Sequence, residues 1–117
     1  MKRRQRVRRR GDFQRILQGQ RVYAASALVA FARPRESGDW RIGVAVSRQV
    51  RGAVRRNRAR RRLREAARAR LLPHDSEGGG VGIPYDVVLI ARPAALELSP
   101  TALEEQAAAV RARLGGR

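Results

Sequence analysis

The chain has 117 residues, with 27 lysines and arginines against 10 aspartates and glutamates and a formal net charge of +17 at pH 7. That length holds one domain with a real core and excludes two independent folded units. With no cysteine and one histidine, His74, the composition excludes disulfides and thiolate metal sites, and gives zinc or Ser/His/Asp chemistry nothing to stand on.

Residues 1–10 form a basic tail of six arginines and Lys2, which repulsion keeps unfolded until an anion orders it. The tail lacks the hydrophobic stretch that a signal peptide carries after its charges, and no apolar run reaches the length of a membrane span, so a cytoplasmic protein is expected. From about Asp12 to Gln18, Phe13, Ile16 and Leu17 share one helical face, with Asp12 as N-cap. Val22 to Ala32 is apolar, partly β-branched and aromatic, and reads as one long strand. Pro34, Ser37 and Gly38 then supply a turn. Trp40 to Ser47 alternates as a second strand, with Ile42, Val44 and Val46 on one side.

Next comes RGAVRRNRARRRLREAARAR, from Arg51 to Arg70. Seven arginines fall within ten residues (Arg55, Arg56, Arg58, Arg60, Arg61, Arg62 and Arg64), while Ala59, Leu63, Ala66 and Ala67 recur at helical spacing. One face docks and the rest is charged. A merely solvated helix face mixes signs, yet Glu65 is the only acid in this run. Unrelieved repulsion of this kind calls for an external polyanion, and guanidinium groups grip phosphate as planar forks or stack on bases. The helix should end near Leu72, because Pro73 disfavours helical geometry before it.

Residues 73–84 (PHDSEGGGVGIP) form a flexible glycine-rich loop that lacks the Lys-Ser/Thr of a phosphate-binding loop. Tyr85 to Arg92 is a third strand, the most hydrophobic and central. Ser99 and Pro100 open a closing helix as N-cap and first residue. The order helix, strand, strand, basic helix, strand, helix makes a small α+β sandwich around one sheet, a single RNA-binding domain over 1–117.

Three segments in the right order make the chain resemble the protein subunit of bacterial ribonuclease P over nearly its whole length. They are DFQRIL, then VAVSRQVRGAVRRNRARRRLREAAR with Arg56, Asn57 and Arg58 at the Arg-Asn-Arg positions, then YDVVLIARPAA. Arg51 and Gly52 depart from the Gly-Asn usual before the helix. The resemblance implies the fold of the second domain of ribosomal protein S5. It also implies a ribonucleoprotein endonuclease that removes the 5′ leader of precursor tRNA, in which a catalytic RNA carries the chemistry with Mg²⁺ held mainly by that RNA. No residue of this chain is then catalytic, and no protein partner is obligatory.

By that resemblance the RNA-binding set is Arg55, Arg56, Asn57, Arg58, Arg60, Arg61, Arg62 and Arg64. A 5′-leader groove lies between the first helix, the sheet and the basic helix, with Phe13, Leu17 and Phe31 at its aromatic positions. Ordinary core packing is the alternative for those three residues. Tyr23, Trp40 and Tyr85 are read as packing residues. A structural ribosomal protein or general RNA chaperone would share the charge and build, and a DNA-binding module would share the charge.

Overall fold

In the computed structural model, residues 5–72 and 83–115 are described, so His74 and most of the glycine-rich loop lie outside the described residues. Helix α1 (Arg10–Leu17) leads into strands β1 (Gln20–Ala24), β2 (Leu28–Pro34) and β3 (Arg41–Val46). The basic helix α2 (Ala53–Arg70), strand β4 (Tyr85–Ala91), a 3₁₀ turn (Pro93–Leu96) and helix α3 (Pro100–Gly115) follow. The sheet order is β1-β2-β4-β3, antiparallel except for the parallel β3/β4 pair, so β4 is central as its hydrophobicity indicates.

The stretch from Val22 to Ala32 is a hairpin rather than one strand. Ala25, Ser26 and Ala27 reverse the chain, and Ala25 N–H donates to Leu28 O at 2.8 Å. Of the usual turn residues only Ser26 is present, flanked by alanines. The support comes from α3 instead, where Gln106 accepts from Ala27 N–H at 3.1 Å and donates to Ser26 Oγ at 3.0 Å. The N-cap assignment also changes. Helix α1 begins two residues before Asp12, with Arg9 as N-cap and no side-chain cap, because the Asp12 carboxylate is drawn to Arg15 (3.8 Å) and Arg41 (3.9 Å). Ser99 does cap α3, accepting from Ala102 N–H at 3.1 Å.

Alternation along the strands gives the sheet two unlike faces. Leu28, Ala30, Ala32, Ile42, Val44, Val46, Val87, Leu89 and Ala91 point to one face, against Ala59, Leu63, Ala66 and Ala67 of α2 and Leu103, Ala107 and Val110 of α3. Trp40 and Tyr85 pack at its margin with ring centroids 5.4 Å apart, Arg111 lies over Trp40, and Arg113 lies over Tyr23. Among the described residues, only α1 and the N-terminal segment cover the other face, where Val7, Ile16 and Val88 are buried and Phe13, Phe31 and Ile90 half-buried. Residues 5–10 of the basic tail are therefore in view: Arg6 bridges to Ile42, and Val7 N–H donates to Ile42 O at 3.0 Å.

Phe13 lies so close to β3 that a Cβ on Gly43 would sit 2.6 Å from its Cζ and 3.1 Å from Val7 Cβ. Gly43→Ala should therefore overpack this small cluster and destabilise the protein by about 1–3 kcal/mol. A urea titration monitored by circular dichroism measures it, and an unchanged midpoint would show that the ring moves aside freely.

Candidate nucleic-acid interface

The basic helix is aimed by the turn that precedes it. Ser47 N–H donates to Ala91 O at 2.9 Å, its hydroxyl accepts from Gln49 N–H at 3.1 Å, and Val50 is buried beneath the turn. Gly52 then enters α2 at φ +89°, a conformation open to glycine and strained for residues with a Cβ. The entry into α2 is made without a side-chain cap.

Along α2 the arginines divide into three groups. Arg56 faces inward and donates to three carbonyls of the preceding turn, Val46 (3.1 Å), Ser47 (2.9 Å) and Val50 (3.0 Å). Arg62 likewise donates to Ala95 O (2.7 Å) and Leu98 O (2.5 Å), tying the helix to the 3₁₀ turn. These two guanidiniums are engaged within the protein. Arg55, Arg58 and Arg61 are exposed, with no ion-pair or hydrogen-bond partner among the described residues.

Asn57, Arg60 and Arg64 form a third stripe at helical spacing, in which Asn57 Oδ1 accepts from Arg60 at 2.8 Å. Arg64 is partly buried, and its pKa lies below the ordinary arginine value because burial removes solvation and Arg6 and Arg60 repel it. It stays charged at any working pH. This flank thus concentrates positive charge beside the N-terminal segment. Among the described residues α2 makes two ion pairs, Arg68–Glu65 (2.9 Å) and Arg70–Glu104 (4.0 Å), both in its last two turns.

Across the sheet, Phe13 and Phe31 are brought into one cluster, whereas Leu17 is 37% exposed at the end of α1 and stands outside it. Phe31 lies opposite Val88 on one side and Arg21 on the other. Strand alternation and register put Val29, Ala45 and Ile90, all half-buried, on the same face as Phe31, together with Arg21 and Arg33. These five were not singled out from sequence. Val29 and Ile90 look like any core strand residue until the hairpin fixes which face each one takes.

The open face is therefore a shallow apolar floor with arginines at its margins, beside a helix whose charge is only partly neutralised. Such a pairing suits single-stranded nucleic acid, whose bases lie on apolar surfaces while its phosphates meet guanidinium groups.

The ribonuclease P family model matches residues 1–115. The chain is 39% identical over 111 residues to the ribonuclease P protein component of Chloroflexus aurantiacus, covering 94% of this chain and 77% of that protein. Against the ribonuclease P protein component of Ruegeria pomeroyi it is 43% identical over 90 residues, covering 74% and 66%. Among solved structures, the RNase P protein of Staphylococcus aureus superposes with a TM-score of 0.66 at 25% identity, covering 91% of each chain. That of Thermotoga maritima gives 0.63 at 25% identity, covering 86% of this chain and 89% of the other.

The division of α2 makes a test within one helix. Arg56→Ala removes the donor to three carbonyls and should lower stability by about 1–3 kcal/mol, whereas Arg58→Ala should stay within about 0.5 kcal/mol of the parent. Urea midpoints compare the two, and equal midpoints would show that the Arg56 clamp contributes nothing.

Proposed function

Because the chain belongs to the ribonuclease P protein family and is a protein component of that endoribonuclease, we propose that it binds the catalytic RNA through α2 and receives the 5′ leader of precursor tRNA on the open sheet face. The holoenzyme then cuts the leader away to form the mature tRNA 5′ end. The observation that carries this reading is the pairing of an arginine helix whose charge is only partly neutralised with an apolar sheet face partly covered by α1.

The chain's own part is binding and positioning. Exposed Arg55, Arg58 and Arg61, with Arg60 and Arg64 on the adjoining flank, offset crowded phosphates, and such contacts give affinity without sequence preference. Arg56 and Arg62 hold the surface in place through carbonyls. Phe31 and Phe13, half-buried, offer ring surface to unstacked bases. Mg²⁺ is held mainly by the RNA in this reading. The proposed setting is the cytoplasm. No helix among the described residues is long and apolar enough to cross a membrane.

Added to a ribonuclease P RNA with precursor tRNA at low Mg²⁺, the purified chain should restore cleavage that the RNA alone performs poorly. Cleavage remaining at the RNA-alone level, with tighter binding to ribosomal RNA, would favour a ribosomal or chaperone role instead.

The groove makes a narrower claim. Phe31→Ala should weaken binding of precursor tRNA by about 1–3 kcal/mol and leave mature tRNA unaffected, since only the precursor supplies a single strand to stack. Affinities for both are measured beside thermal melting. Equal loss for both ligands with a sharply lowered Tm would assign Phe31 to packing alone.

A further inference from the structure

In a chain of net charge +17, one part of the open sheet face is electrically balanced. Asp12, Glu36 and Asp86 line a cleft of about 420 Å³ between α1 and the β2–β3 connection, together with Arg15, Arg33 and Arg35. A phosphate gains little beside three carboxylates, whereas a neutral group with hydrogen-bond donors and acceptors side by side is well matched.

Much of the lining is already engaged. Arg41 donates to both oxygens of Asp86 at 2.7 Å, Arg35 stands 3.6 Å from Asp86 and donates to Asp39 O, and Asp12 has Arg15 and Arg41 at the limit of pairing. Arg33 and Glu36 differ. They have opposite charge and line the same cleft, yet neither has an ion-pair or hydrogen-bond partner among the described residues. Arg33 can only donate and the Glu36 carboxylate can only accept.

The cleft continues the apolar floor. Val29, Phe31 and Arg33 alternate onto the same face of β2, and Arg33 lies directly opposite Asp86. Arg33 is two residues beyond Phe31, about 7 Å along the strand, so a single strand with one base against Phe31 can bring a neighbouring base to the cleft that Arg33 and Glu36 line.

We infer that this cleft is a guanine-reading subsite for single-stranded RNA, in which Glu36 accepts from N1–H and the N2 amino group while Arg33 donates to O6 and N7. This rests on reading the sheet face as the path of the leader. Guanine is the base that offers two adjacent donors on one edge and two adjacent acceptors on another. Adenine and cytosine offer a carboxylate one amino group and uracil one imino group. Single-stranded RNA exposes these edges, and arginine to O6 and N7 is the commonest specific contact to guanine in DNA complexes.

The test uses holoenzyme and precursor tRNAs whose leaders are all adenosine except for one guanosine moved position by position. One position should bind on the order of tenfold tighter than the all-adenosine leader, as expected for one bidentate base contact. Inosine there, lacking the N2 amino group, should lose most of the gain. Glu36→Ala and Arg33→Ala should each bring the guanosine-to-adenosine ratio towards one, and melting curves establish that both variants are folded. A flat profile along the leader, a preference that survives both variants, or a lowered Tm with the preference intact would overturn the inference. Equal affinity of the all-adenosine precursor and mature tRNA would instead count against the leader path itself.

Discussion

Too few carboxylates for too many guanidiniums is the constraint around which this structure is arranged. With 27 basic and 10 acidic residues, ion pairing alone leaves most arginines without a partner. The protein answers with backbone carbonyls. Arg56, Arg62, Arg92 and Arg113 each donate to main-chain oxygens at turns, at strand ends or, for Arg113, at the irregularity in β1 around Val22. These contacts fix the turn before α2, the 3₁₀ turn after β4 and the β1–β2 hairpin. Much of the charge that remains lies on the outer faces of α2, so a partner meets there a surface set in place by arginines of the same helix.

What could be read in the chain follows from how local each signal is. The alanine and leucine stripe of α2, the apolar run of β4 and the Ser-Pro start of α3 are complete within their own segments. The three matching segments also sufficed to place the family. The β1–β2 hairpin was hidden because Gln106, eighty residues from Ser26, holds a turn built from alanine and serine. The division of the arginines was hidden for a related reason. In a segment where almost every polar residue is arginine, identity says nothing about direction, and only the carbonyls of Val46, Ser47, Val50, Ala95 and Leu98 show which ones face inward. Phe13 and Phe31 lie in one cluster, while Leu17, on the same helical stripe, falls beyond its edge.

The unequal cover of the two sheet faces links stability to recognition. Two long helices bury one face and hold the main core there, so the other face can stay partly open. A single short helix and a few N-terminal residues leave Phe31, Val29, Ile90 and Ala45 half-buried, which is as much solvent exposure as a stacking floor needs. The same rings pack the small cluster, so changes to the floor act on the fold and on the ligand together.

Strand order has a consequence for the chain as it is synthesised. β4 sits between β2 and β3, yet it is the last strand to be made, and its parallel pairing joins Arg41 to Asp86. Until residues 85–91 emerge from the ribosome, β2 and β3 have no common neighbour and each presents an unpaired apolar edge, the kind of surface that invites aggregation. Parallel, long-range pairing is also slow to form. The nascent chain thus holds an exposed, strongly basic α2 before its sheet can close, so how quickly β4 arrives governs how long that surface is displayed on an unfinished fold.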